Sequence, residues 1–148
     1  MSDSFTTAGP SAPTVDGMDI PVRSTVVEIV TRDLQRALVF YRLLGLPIPE
    51  VPGPHVEVEL PGGNTLAFDT EEVIAGMHPG WQPPVSAGRV AIAFGVRTSS
   101  DVDALFERLT AAGHPGTLAP FDAPWGQRYA TVEDPDGTVV DLFAPLAS

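Results

Sequence analysis

The side chains able to do chemistry are few. The chain of 148 residues has no cysteine and three histidines, which excludes disulfides, thiolate zinc sites and cysteine nucleophiles. Any metal would have to sit on His55, His78, His114 and the carboxylates. His55 opens the segment HVEVEL (55–60), whose alternation places His55, Glu57 and Glu59 on one strand face and Val56, Val58 and Leu60 on the other. A histidine with a carboxylate two positions along the same face is a partial metal-binding pattern, but most such faces are simply solvated, and a structural zinc uses four ligands. His78 falls in a stretch rich in Gly and Pro, and His114 lies just past a helix C-terminus, where the dipole favours an imidazolium. Further on, RYATVE alternates Tyr129 with Thr131, and TVVDLF sends Val139, Asp141 and Phe143 to a common face. Trp125, between Pro124 and Gly126, lies in a loop where no strand or helix face needs a large ring. On the residues alone it is a ring packed on a neighbouring module or subunit, and Trp81 has the same reading. Arg128, in a chain with so few bases, is expected to pair with a carboxylate, and Asp134, Asp136 and Gly137 are assigned to turn geometry.

Two repeated halves position these groups. Residues 1–20 (MSDSFTTAGPSAPTVDGMDI) mix Ser, Thr, Gly, Pro and Asp without hydrophobic period and read as a disordered tail. From Arg23, RSTVVEIV is a strand, and Asp33 caps a helix with Leu34, Leu38, Tyr41 and Leu44 at helical spacing and Gly45 as its stop. HVEVEL and TLAFDT follow as strands around a PGG turn. Residues 71–88 show no sustained period and read as a connector. The plan then repeats: GRVAIAFGV is a strand, SSDVDALFERLTAAG is a Ser-capped helix ending at Gly113, and short strands follow, the last two joined by DPDG. The order strand, helix, strand, strand, strand in each half indicates an internal duplication. A module of that size is marginal alone, so the halves pack together or exchange with a second chain. Regular strand-helix alternation with a Gly-rich first turn, the mark of a doubly wound nucleotide fold, is missing.

Composition narrows the function. With Lys+Arg 8 and Asp+Glu 19 the net charge is −11, which repels nucleic acid and anionic membranes and attracts cations. No run approaches the roughly 18 apolar residues of a membrane span, and the N-terminus lacks a basic and apolar leader, so a cytoplasmic protein is expected.

In IVTRDLQRALVFYRLLGL, and again in APWGQRYATVEDPDGTVVDLF, the chain resembles the vicinal-oxygen-chelate superfamily of glyoxalase I, extradiol dioxygenases, and fosfomycin- and bleomycin-resistance proteins. The resemblance runs from about 23 to 145, and the PWG followed by a DP-G turn looks most like the bleomycin-resistance branch, where this region borders the drug groove; that likeness implies Trp125 as a stacking wall for a planar or cationic ligand, and Trp81 is given the same second reading. It implies an α+β fold of two βαβββ modules, about 23–70 and 89–145, whose curved sheets enclose a cavity, commonly in a homodimer. Metal enzymes of the superfamily carry His, Gln or Glu ligands on four strands. Those positions fall here on Val26, Ala67, Ala91 and Asp141, and three apolar side chains cannot replace a cation's hydration shell. The resemblance therefore implies no metal at the family's site and no other cofactor. With Val26 facing the cavity, pleat alternation brings Glu28 to the same side, Thr65, Ala67 and Asp69 to the cavity side of their strand, and Val139, Asp141 and Phe143 to theirs. Glu28, Asp69, Ala91, Trp125, Tyr129, Asp141 and Phe143 are the expected ligand-binding residues. The leading expectation is a metal-free binding protein that sequesters a cationic or aromatic, antibiotic-like molecule in a dimer groove. The alternative is a lyase, isomerase or dioxygenase on the same scaffold, using a metal on Asp141 with Glu28 or His55, or Glu28 or Asp141 as a buried base. A third reading is a scaffold domain with a filled cavity, against which the small residues Ala67, Ala91 and Ala93 argue.

Overall fold

Side-chain branching, capping and proline placement account for the elements observed. The structure, a computed structural model, describes residues 20, 22–50, 53–85 and 88–147; the expected disordered tail lies, but for Ile20, outside the described residues. The β-branched run TVVEIVT forms β1 (Thr25–Thr31). Asp33, in extended backbone, then accepts the Arg36 N–H at 3.2 Å and starts α1 (Leu34–Leu44), which stops at Gly45 in the left-handed region with φ 112°. Strands β2 (His55–Leu60) and β3 (Asn64–Thr70) form a hairpin, followed by helix α2 (Glu71–Met77). The second half contributes β4 (Ala91–Gly95), α3 (Ser99–Ala111), β5 (Gly116–Ala123), β6 (Gln127–Glu133) and β7 (Val139–Pro145).

Helix α2 corrects the expectation of an irregular connector over 71–88. The Thr70 hydroxyl accepts the Val73 N–H at 3.2 Å, and Glu71 and Glu72 sit in the first turn, where the dipole favours them. Helix α3 is capped by Thr98 and not by a serine. Its hydroxyl accepts the Asp101 N–H at 3.1 Å while Asp101 accepts the Thr98 N–H at 3.2 Å, a reciprocal box that draws Ser99 into the first turn.

The strands form two sheets, one of three strands in the order β1-β3-β2 and one of four in the order β4-β7-β6-β5. Each opens with a parallel pair, β1 with β3 and β4 with β7, and continues antiparallel. The expected two-module plan is therefore present, with one difference: among the described residues the first module has no counterpart of β5. The segment that would supply it carries Pro47 and Pro49 at alternate positions, so two consecutive hydrogen-bonding sites on one edge lack an N–H. Ile48 between them is buried in the core instead.

One hydrophobic core spans both modules. Leu38, Phe40, Tyr41 and Leu44 of α1 pack with Val56, Leu66 and Phe68 of the first sheet, with Val102, Leu105 and Leu109 of α3, and with Val132, Val140 and Leu142 of the second sheet. The fully buried Tyr41 ring lies 4.8 Å from Phe40 and 5.0 Å from Phe68, and its hydroxyl donates to Asp134 Oδ2 at 2.7 Å. Asp134 is 3% exposed, and its other oxygen accepts the backbone N–H groups of Asp136 and Thr138, each at 2.8 Å. Asp136 reaches back to the first module and accepts from the Thr31 hydroxyl and, at 3.1 Å, from the Arg32 N–H. The DPDG turn is thus also the clamp between modules. Among the described residues, no helix is long and apolar enough to cross a membrane.

His114 departs from its expected imidazolium. Its ring packs edge-on against Phe40 at 4.8 Å, and burial, with the Arg36 guanidinium nearby, lowers its pKa; Asp134 opposes this only in part.

Two predictions follow from this packing. Tyr41→Phe leaves one oxygen of a buried carboxylate without its donor and should cost about 1.5–3 kcal/mol, read from the urea midpoint. His114 should titrate below about 6.5 by NMR and move upward in Arg36→Gln. Because its folded pKa is depressed, the unfolded chain takes the proton more readily, so stability should fall as pH drops from about 6.5 through the folded value.

Candidate functional site

Strand register decides which polar groups meet. In the first sheet β3 is central, and Glu28 pairs with Ala67, Val30 with Asp69, His55 with Asp69 and Glu57 with Ala67. Since paired residues share a face, Glu28, Asp69, His55 and Glu57 all project from the same side, while Ile29, Leu66, Phe68, Val56 and Val58 enter the core on the other. The face expected to be merely solvated on β2 is therefore continuous with the face that carries Glu28 and Asp69. The signal for this was present in the chain: counting outward from the PGG turn puts His55 opposite Asp69.

The groups on this face are linked. His55 Nδ1 lies 2.6 Å from Asp69 Oδ1, and Nε2 lies 2.8 Å from Glu57 Oε2. With a carboxylate at each ring nitrogen the imidazolium is favoured, and the hydrogen bond to Glu57, followed by that to Asp69, raises the His55 pKa. Asp69 is 3% exposed; burial alone would raise it, but hydrogen bonds from Glu28 and His55 outweigh burial and hold it below the ordinary carboxylate value. Glu28 is raised, first by its hydrogen bond with Asp69 and then by partial burial. Ligand atoms of Glu28, His55 and Asp69 lie within 4.8 Å of one another, in the one such group of metal-ligating side chains found among the described residues.

The second sheet presents a different surface. Asp141 is flanked by Ala93 on β4 and Thr131 on β6, and Phe143 by Gly95 and Tyr129, with Phe121 beyond on β5. The Tyr129 hydroxyl donates to Asp141 Oδ2 at 2.8 Å and the Thr131 hydroxyl to Oδ1 at 2.7 Å. Burial and this bond to Asp141 push the Tyr129 phenol up to about 12, so it stays a donor. Gly95 makes room for the Phe143 ring, since a Cβ there would lie 2.9 Å from its Cζ. Trp125, in the turn between β5 and β6, stands edge-on to Tyr129 at 5.4 Å and to Phe121 at 6.3 Å. It packs on its own sheet and remains 59% exposed, so packing on the neighbouring module does not account for it. Ala91 and Ala93 are exposed and small, which leaves the β4 edge of this face low. Arg128 faces the opposite way and pairs with Asp103 and Asp122 at 2.9 and 3.0 Å.

The expected ligand-binding residues thus divide between two sheets, Glu28 and Asp69 on the first and Ala91, Trp125, Tyr129, Asp141 and Phe143 on the second. The four positions implied for the superfamily's metal do not fit one: Val26, Ala67 and Ala91 offer no donor, and Asp141 alone cannot replace a cation's hydration shell.

Comparisons with known proteins agree with this architecture. The profile of the Glyoxalase/Bleomycin resistance protein/Dioxygenase superfamily matches residues 23–142. An uncharacterized protein of Mycobacterium bovis is 30% identical over 125 residues, covering 80% of each chain. Among solved structures, a glyoxalase/bleomycin resistance protein/dioxygenase from Nocardioides superposes with a TM-score of 0.65 at 26% identity, over 97% of this chain and 91% of its own. A glyoxalase-related enzyme from Fulvimarina pelagi shares the fold with a TM-score of 0.71 at 24% identity, over 84% and 88%. With two modules of matching topology and a profile match across nearly all of both, the chain belongs to the Glyoxalase/Bleomycin resistance protein/Dioxygenase superfamily.

Proposed function

We propose that this protein captures a small planar molecule, cationic or aromatic, on the open face of the second sheet, in the manner of the bleomycin-resistance branch. The observation that carries this reading is the Asp141 carboxylate, fixed by the Tyr129 and Thr131 hydroxyls and bordered by Phe143, Phe121 and Trp125. Two donated hydrogen bonds leave a carboxylate with further acceptor capacity, so Asp141 can receive an N–H from a ligand without moving. The indole and phenol supply stacking and cation–π walls. A net charge of −11 draws cations toward the site. Capture of this kind requires stoichiometric protein and no catalytic group, and a second copy of the chain would close the groove.

The enzymatic alternative rests on Glu28, whose carboxyl is raised by its hydrogen bond with Asp69; its side chain is exposed, so it is not the buried base that this alternative expected. Asp69, the better buried of the pair, is held low and is the weaker base.

Calorimetry with 9-aminoacridine, a planar cation, and acridine-9-carboxylate, an anion of similar size, tests the reading. The cation should bind and the anion should not. Asp141→Asn should weaken the cation at least tenfold, equivalent to about 1.4 kcal/mol, and Trp125→Ala by about 0.5–2 kcal/mol. Equal binding of both probes, or a cation affinity unchanged in Asp141→Asn, would falsify the assignment.

A further inference from the structure

We infer that Glu28, His55 and Asp69 form a site for a divalent transition-metal ion of the zinc class, on the first sheet and apart from the surface around Asp141. The three side chains come from three adjacent strands and project from one face, so backbone hydrogen bonding fixes their spacing. Their donor atoms lie within 4.8 Å of one another. Tetrahedral zinc with bonds of about 2.0–2.2 Å sets its ligands about 3.4 Å apart. The difference is within reach of side-chain rotation, because Glu28 and His55 are exposed while Asp69 is the fixed member.

Two further observations point to a ligand. Asp69, with its side chain 5% exposed, is a buried carboxylate aimed into the cluster, and the positive charge that balances it there comes from the exposed His55 ring, a role a metal ion bound at the same atoms would take over. His55 carries a second carboxylate at its far nitrogen, Glu57 Oε2 at 2.8 Å from Nε2. A metal-bound histidine characteristically donates its other N–H to such a carboxylate, which fixes the ring's orientation and tautomer. Bound through Nδ1, His55 would keep its bond to Glu57, and the ion would take the place of the proton that Nδ1 and Asp69 Oδ1 now share.

The donor set defines the chemistry. One imidazole with two carboxylates suits zinc, cobalt or manganese over soft ions such as Cu(I). Three protein ligands leave a coordination position open, as in sites that bind a small molecule or activate water. Glu28 and His55 are exposed, so the open position faces solvent. The set is not the superfamily's, since on β1 and β3 it lies two residues beyond Val26 and Ala67 and it recruits β2 as a third strand.

Isothermal titration of the dialysed, untagged full chain with ZnCl2, followed by CoCl2 with visible absorption, provides the test. One equivalent per chain is expected, with cobalt d–d bands of a low-coordinate site. His55→Gln should abolish stoichiometric uptake and Glu28→Gln should weaken it at least tenfold. Both replace exposed side chains, and circular dichroism melting verifies that the variants fold. Glu57→Gln should weaken binding about 10–100-fold while leaving the stoichiometry at one. Absence of stoichiometric uptake by the natural chain, or uptake equally strong in His55→Gln and Glu28→Gln, overturns the proposal and leaves the cluster a histidinium bridging carboxylates.

Discussion

Burying the Asp134 carboxylate is the constraint from which the joining of the two modules follows. An ionised carboxyl enters an apolar core only when nearly every lone pair is used, and here the Tyr41 hydroxyl, the Asp136 N–H and the Thr138 N–H supply the donors. One donor belongs to α1 of the first module and two to the turn before β7 of the second. The bonds are therefore satisfied together only when the modules are docked in one way. Asp136, held in that turn, adds the bonds to Thr31 and Arg32 at the end of β1. The first residue of β7 lies one position beyond Thr138, so the same clamp that docks the modules anchors the strand that carries Asp141.

Polar burial thus fixes relative position, while apolar burial supplies most of the driving force. Leu38, Phe40 and Leu44 on one helix and Val102, Leu105 and Leu109 on the other fill the space between the sheets, and such packing tolerates modest shifts. A hydrogen-bonded buried carboxylate tolerates far less, because a displaced partner leaves an unsatisfied charge. This division of labour explains why residues that read as ordinary turn formers have a larger role in the folded chain. Asp134 and Asp136 do shape the DPDG turn, but their second function depends on Tyr41 and Thr31, about a hundred positions away in sequence, and local turn chemistry carries no trace of it.

What was legible in the chain follows the range of the forces involved. Asp33 and Gly45 mark the ends of α1 because capping is local, and the alternations in HVEVEL and TVVDLF gave the correct faces because pleating is local. Helix α2 was hidden because seven residues make two turns, too few for a 3.6-residue period to emerge, and Gly76 interrupts it. The missing strand of the first module could have been read from Pro47 and Pro49, whose absent N–H groups weigh more than the symmetry of a duplication. That Tyr129, Asp141 and Phe143 share one face follows from alternation along β6 and β7 and their pairing. The histidine cluster was not assembled, because His55 and Asp69 meet by pairing across a turn and Glu28 joins them by parallel pairing with β3, a non-local event.

The two sheet faces show how one duplicated module holds a carboxylate in two different ways. On the second sheet, the Tyr129 and Thr131 hydroxyls satisfy the Asp141 carboxylate beside aromatic rings. On the first sheet, the more deeply buried Asp69 is satisfied by an imidazole and a second carboxyl. Both carboxylates lie on the last strand of their module, two residues out of step, since Ala67 corresponds to Asp141 and Asp69 to Phe143. There Asp69 faces His55, while Asp141 faces Thr131 and is reached by Tyr129. Which residue of the last strand is the acid, and which side chains stand beside it on the neighbouring strand, therefore sets the polar character of each face while the backbone plan stays the same.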